Sequence, residues 1–240
     1  MQKTLVLLGL LASGIATAAD EVKPLSMDGE FGFISTTGNT ETTSFKGKLA
    51  AHQELDMWSN DFSVEGLYKK DDIDGVSQTT AQKYFMSAQG NYKLDNPDHR
   101  LFGFASYADD KFSSYDYQST LAVGWQQKLW DDPSSRFSYS IGPGYSFAKT
   151  NEGEFENGVI VRGALDYQWK VSDTATFKQI LSSEVGSNNT KSKSETSLSA
   201  KINDSLSLKV SLLMDHNSDV AEGKDNLDTQ TAVTVVYTFF

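Results

Sequence analysis

Apolar side chains recur at every second position through most of this chain, and that period constrains the fold more than any other feature. In VIVRGALDYQW, Val159, Val161, Leu165, Tyr167 and Trp169 fall on one face, and Arg162, Asp166 and Gln168 on the other. RFSYSIGPGYSF sets Phe137, Tyr139, Ile141, Tyr145 and Phe147 against Ser138, Ser140, Gly142, Gly144 and Ser146. LSLKVSLLM sets Leu206, Leu208, Val210, Leu212 and Met214 against Ser207, Lys209 and Ser211. A period of two is that of an extended strand with one oily and one wet face, and no stretch repeats at the 3.6-residue helical period. Twelve such segments lie near 29–37, 42–55, 61–70, 80–94, 100–110, 115–130, 136–149, 158–171, 174–187, 193–203, 205–216 and 228–240.

The apolar faces need a partner. Hydrophobic residues make up 38% of the chain, thin for a soluble β-sandwich of 240 residues, while aromatics at 12% argue against disorder. A barrel in a bilayer resolves the conflict, because each strand needs only its outward face to be apolar around a polar lumen. The connections support this reading, since two kinds alternate. MWSN, DNPDH, DDPSS, SDTA and NDS are tight reversals; KDDIDGVSQT, DDKFSSYD, TNEGEFENG, SNNTKSK and NSDVAEGKDNLD are longer polar stretches. Short turns at one end and long loops at the other are the outer-membrane pattern. Trp58, Tyr92, Phe102, Trp130, Phe137, Trp169 and Phe240 gather at the short-turn end, and Tyr68, Tyr84, Tyr117, Tyr145 and Phe147 towards the other. Two such belts are expected at the two membrane surfaces. The expected fold is therefore all-β: a single-domain transmembrane antiparallel β-barrel of about twelve strands. A soluble periplasmic β-sandwich is the alternative architecture.

The termini sharpen the expectation. Residues 1–19 carry an early Lys3, an apolar run from Leu5 to Ile15 and the small pair Ala18-Ala19, the pattern of a secretory signal peptide cleaved near Ala19. That run is too short for a spanning helix, which needs about 20 residues. Residues 20–240 then form the barrel, with 20 basic and 32 acidic side chains and a formal charge of −12. Such a charge argues against a nucleic-acid partner. There is no cysteine, so an exported chain gains no disulfide. The terminal TAVTVVYTFF is a strand whose row Val233, Val235, Tyr237, Phe239 would be an aggregation hazard at a free edge. Pairing with EFGFIST would close the barrel.

Two stretches, GEFGFISTTGNTETTSFKGKL (29–49) and DTQTAVTVVYTFF (228–240), resemble the YdiY-like family of salt-induced outer-membrane proteins, with Gly38-Asn39-Thr40 as the most recognisable element. The resemblance implies an outer-membrane barrel of a Gram-negative bacterium, with outer-membrane lipid and lipopolysaccharide around it and a link to salt or osmotic stress. It supplies no molecular activity. The terminal aromatics also resemble the signal read by the barrel-assembly machinery, which assigns that role to Tyr237, Phe239 and Phe240. The aromatic row ends at Phe239, and Phe240 overruns it by one residue.

Candidate sites follow from the inward rows. Lys46, Lys48, His52, Glu65, Lys128, Arg162, Asp166, Lys201 and Lys209 are expected to line the lumen, as are Glu54, Lys83, Lys93, Lys178, Glu184 and Asp215. Mixed signs suit ion pairs that fill a narrow interior. A small channel is the alternative, with the Ser and Gly row of 138–146 as its low wall and Lys46, Lys48, Lys201 and Lys209 favouring small anions. Pro143, which cannot donate to a ladder, is expected to mark a bulge or bend. His216 and Ser218 share a phase and resemble the His-x-Ser arrangement of outer-membrane phospholipase, the basis of a lipid-enzyme alternative. The segment reads HNSD, without that family's following Asn-Gly, and no third residue orients the histidine. GYSFA lies within an alternating strand, not on the strand-to-helix turn a nucleophile elbow needs. DDIDG has Lys70 and Ala81 where a calcium loop needs acids. The reading calls for no metal, no cofactor and no catalytic residue.

Overall fold

A computed structural model describes residues 25–36, 40–73, 76–111 and 113–240. The Gly38-Asn39 pair and residues 1–24 lie outside the described residues. The twelve strands are β1 (Leu25–Thr36), β2 (Thr40–Glu54), β3 (Trp58–Ile73), β4 (Val76–Lys93), β5 (His99–Asp110), β6 (Tyr115–Asp131), β7 (Ser135–Thr150), β8 (Gly158–Lys170), β9 (Ala175–Gly186), β10 (Thr190–Lys201), β11 (Leu206–Asn217) and β12 (Leu227–Thr238). Each pairs antiparallel with its neighbour in sequence, and β1 pairs with β12, so the sheet is a closed barrel. The seam is short: Asp28–Phe31 meets Val235–Thr238. Beyond the strand, the Phe239 amide donates to the Met27 carbonyl at 2.9 Å.

Alternation dictates which side faces out. Val159 and Val161 are 69% and 52% exposed, whereas Ile160 between them and Arg162 after them are buried. Phe31, Phe33, Val123, Leu208, Val210, Val233 and Val235 are exposed in the same way. An aliphatic or aromatic side chain left in water forgoes roughly 1.5–3 kcal/mol. Summed over the outer rows this reaches tens of kcal/mol, more than the whole margin of a folded domain. The exterior therefore matches acyl chains, and the buried groups are largely polar: Ser59, Asn91, Thr120, Ser140, Ser197, Ser211, Thr234 and several charges.

At one rim the turns close through their own side chains. Asn96 accepts from the Asp98 amide at 3.0 Å, Asn203 from Leu206 at 2.9 Å, and the Ser172 hydroxyl from Ala175 at 3.1 Å. Aromatic pairs ring that rim outside: Trp58 with Tyr92 at 5.3 Å and Trp130 with Phe137 at 5.0 Å. Phe102 departs from this belt. It is buried inside, and a Cβ built on Gly124 would fall 2.8 Å from its ring. At the other rim the polar stretches are shorter as loops than their sequences suggest. The KDDIDGVSQT region is absorbed into β3 and β4, which run to Ile73 and from Val76. A polar sequence can extend a ladder beyond the apolar band because both faces are then wet, as the bond from Thr80 to Asp71 at 2.9 Å shows.

Pro143 produces no register shift and so no bulge, but the β6–β7 ladder is interrupted beside it, with no pair between Ala122 opposite Gly144 and Trp125 opposite Ile141. β7 keeps one register from Tyr145 opposite Leu121 to Ile141 opposite Trp125, and Pro143 stands opposite Val161 of β8. The irregularities of β6 and β7 fall instead at Tyr115/Tyr117 and Lys128/Trp130. Near the proline the two backbones close up: a Cβ on Gly142 would lie 2.0 Å from the Val123 carbonyl oxygen and 2.6 Å from the Gly124 Cα. Only glycines at 124 and 142 leave room for this close approach beside the break in the ladder.

Candidate functional site in the barrel lumen

The lumen holds three levels. In the middle, six charges from five strands meet: Glu30 (β1), Lys46 and Lys48 (β2), Glu65 (β3), Glu195 (β10) and Lys209 (β11). The Lys209 ammonium donates to Glu195 at 2.7 Å and Glu30 at 2.8 Å, and Lys48 donates to Glu195 at 3.2 Å. Lys46 lies 3.5 Å from Glu65. Three lysines and three glutamates make the layer electrically neutral. The side chains are largely buried, so the level is filled. Burying charge is tolerable only when each ion has its partner and its hydrogen bonds, which this layer supplies.

Towards the long-loop rim a second set crosses the lumen. Lys83 of β4 donates to Asp215 of β11, which also lies 3.7 Å from Lys193 of β10. The Lys193 ammonium sits 3.8 Å from the centre of the Phe85 ring. Above them the 218–226 segment folds over the mouth. The Tyr115 hydroxyl donates to Glu156 at 3.0 Å and to the Asp219 carbonyl at 3.1 Å, and the Ala221 amide donates to the Ser114 hydroxyl at 2.9 Å. Gln118 of β6 reaches Asn217 of β11 at 3.2 Å. These bonds join strands on opposite sides of the barrel.

The short-turn half is different. It contains a cavity of about 540 Å³ that runs from rim residues such as Asp131 and Arg136 inward to Lys48, Phe104, Ser140 and Arg162. Its charges are mostly paired. Glu54 accepts Lys93 at 2.6 Å beside Arg100 at 3.7 Å, His52 meets Asp61 at 2.7 Å, Lys178 meets Asp166 at 3.2 Å, and Lys128 meets Asp131 at 2.7 Å. At the inner end, Arg162 lies 3.8 Å over the Phe104 ring, with its Nε 3.7 Å from Glu184. Glu184 is held by the Thr120 hydroxyl at 2.7 Å.

The structure thus brings Lys46, Lys48, Glu65 and Lys209 together in the middle layer and places His52, Lys128, Asp166 and Arg162 on the cavity. Lys201 joins neither; it is exposed at the short-turn end of β10, beyond the charged layer. Glu30 and Glu195 were not anticipated, although each completes the layer. The candidate pair His216 and Ser218 is not brought into hydrogen-bond contact among the described residues. The Ser218 hydroxyl instead donates to Asn189 at 3.2 Å and accepts from the Thr190 amide at 2.7 Å.

An apolar exterior, a charge-filled lumen and a closed ring of twelve antiparallel strands define an outer-membrane type of β-barrel. The fold is similar to that of the NanC porin, with a TM-score of 0.54 and 11% identity over 89% of this chain and all of that one. It is also similar to an outer membrane channel of Pseudomonas putida F1, with a TM-score of 0.53 and 11% identity over 94% of this chain and all of that one. Within that class the chain belongs to the family described as "Protein of unknown function, DUF481", which it matches over residues 29–239. A relative in that line is the uncharacterized protein YdiY of Escherichia coli K12, 24% identical over 241 residues that span 95% of this chain and 93% of the relative.

Proposed function

We propose that this protein is a non-enzymatic barrel of the Gram-negative outer membrane that acts as a narrow small-solute channel, closed in the conformation described. One observation carries the reading. The 540 Å³ cavity ends inward on side chains, with the 218–226 loop across the opposite mouth, rather than on an inserted domain, so movement of a few groups would open a path. The likeness of the fold to a porin and an outer membrane channel supports it.

In this reading residues 1–19 direct export, the short-turn rim and its cavity face the periplasm, and the 218–226 lid faces outward among lipopolysaccharide. Tyr237 and Phe239 remain aligned on the outer face at 5.0 Å between rings, where the barrel-assembly machinery would read them, with Phe240 next in line. The link to salt stress rests on the sequence resemblance alone. Planar-bilayer recording tests the proposal: the wild-type barrel gives small, infrequent conductance steps, and removal of the 218–226 lid together with Glu195→Gln makes them large and frequent. A folded barrel, shown by heat-modifiable mobility, that stays silent in both forms is a structural protein and not a channel.

A further inference from the structure

The cavity contains one charge whose hydrogen bonds go unused. Arg162 is buried to more than nine-tenths of its side chain, yet among the described residues its Nε and Nη1 have no hydrogen-bond partner. Its neighbour Glu184 stands at 3.7 Å, an ion-pair distance too long for a hydrogen bond, and directs a carboxylate oxygen to Thr120. One face of the guanidinium is covered by Phe104. Leaving such donors unsatisfied costs more than leaving out the whole group, so a site like this calls for an acceptor.

We infer that the inner end of the cavity is a binding site for a small organic carboxylate, whose anionic head takes an unused donor of Arg162 as the side chain turns towards the open space. The walls choose between carboxylate and other anions. Glu184 already offsets one positive charge, which disfavours a dianion such as phosphate. Phe104, Ala164 and Ile180 give the ligand's carbon body apolar surface, while Ser140 and Lys178 edge the approach. A bare halide would use none of that surface, and a carboxylate oxygen accepts a short charge-assisted bond from a guanidinium N–H. The other cations of the cavity already have acceptors: Lys178 has Asp166, Arg100 has Ser59 and Glu54, Arg136 has Gln168, and Lys48 has Glu195.

The inference deepens the channel reading by naming a solute class, and its test is separable because binding needs no conduction. Saturation-transfer NMR on the folded barrel in detergent would follow butyrate, with inorganic phosphate and chloride as competitors. Wild type is expected to bind butyrate saturably and to be displaced poorly by either competitor. Arg162→Gln should weaken binding at least tenfold. Glu184→Gln, whose amide oxygen still accepts from Thr120, should tighten it severalfold, a gain that a misfolded barrel would not show. Wild-type protein without saturable binding, or Arg162→Gln binding as well as wild type, overturns the site. A silent barrel that binds butyrate removes only the channel, and a conducting one that binds nothing removes only the site.

Discussion

Replacing Glu195 by Gln probes the middle layer at its most connected atom group. The carboxylate accepts from Lys209 at 2.7 Å and from Lys48 at 3.2 Å, and its own side chain is 16% exposed. The substitution keeps the size, takes the layer from neutral to +1, and leaves Lys48 without an ion pair among the described residues. A hydrogen bond to a charged group contributes about 1.5–3 kcal/mol, and breaking one partner of a buried pair costs about 3–5 kcal/mol. Lys209 retains Glu30 at 2.8 Å, which moderates the loss. The expected destabilisation is about 3 kcal/mol, a shift of more than a hundredfold in the folding constant at about 1.4 kcal/mol per decade. Urea unfolding in detergent, followed by tryptophan fluorescence, measures it against Lys128→Gln. That control breaks the 2.7 Å rim pair with Asp131, which is exposed and should cost under about 1 kcal/mol. Because burial limits screening, the Glu195 effect should persist in high salt while the rim effect fades. If Glu195→Gln costs no more than Lys128→Gln, the layer is hydrated and the lumen is not filled there.

The glycine contact between β6 and β7 predicts that Gly142→Ala forces the strands apart and destabilises the barrel by about 3 kcal/mol, the upper end for overpacking, because the obstruction is backbone. Gly103→Ala, whose Cβ would meet nothing within 4 Å, should leave the urea midpoint unchanged or slightly raised. Tyr115→Phe removes the hydroxyl's bond to the lid at the Asp219 carbonyl, together with its bond to Glu156 of the neighbouring loop. It should speed protease cleavage within 218–226 severalfold, at a lid cost of about 1 kcal/mol, without moving the barrel's unfolding midpoint.

What could be read from the chain, and what could not, divides along a physical line. Alternation reports the face of a strand wherever one row is plainly apolar, as in β8, where Val159 and Val161 flank Ile160 and fix Arg162 inward. β10, TKSKSETSLSAK, carries Leu198 as its only large apolar marker; that one residue sets Glu195 and Lys201 in the same inward phase, but nothing in the strand says at which depth each lies or that Lys201 falls past the charged layer. β5 fails for the opposite reason. LFGFASY has apolar residues in both phases, and Phe102 goes inward because Gly124 leaves a hollow for its ring. Partners are less legible than faces. Glu195 and Lys48 are 147 positions apart, and Lys83 and Asp215 are 132 apart; only barrel closure and stagger bring them together.

The wall of the lumen is lopsided, and that asymmetry bears on how a side-chain plug can also be a gate. Long charged residues crowd β1–β4, β10 and β11, where they neutralise one another. β7 contributes Ser138, Ser140, Gly142, Gly144 and Ser146 to the facing side, and Gly142 brings β6 still closer. A solute entering at the short-turn rim therefore has its space along β6–β8, the wall on which Arg162 stands with donors unspent. The crowded wall is held by ion pairs that need no counter-ion from outside, so its lysines have no reason to swing across unless a partner is removed. Closure then depends on the balance within one neutral layer rather than on a separate plug, which is why a change of one charge at Glu195 is expected to alter stability and conductance together.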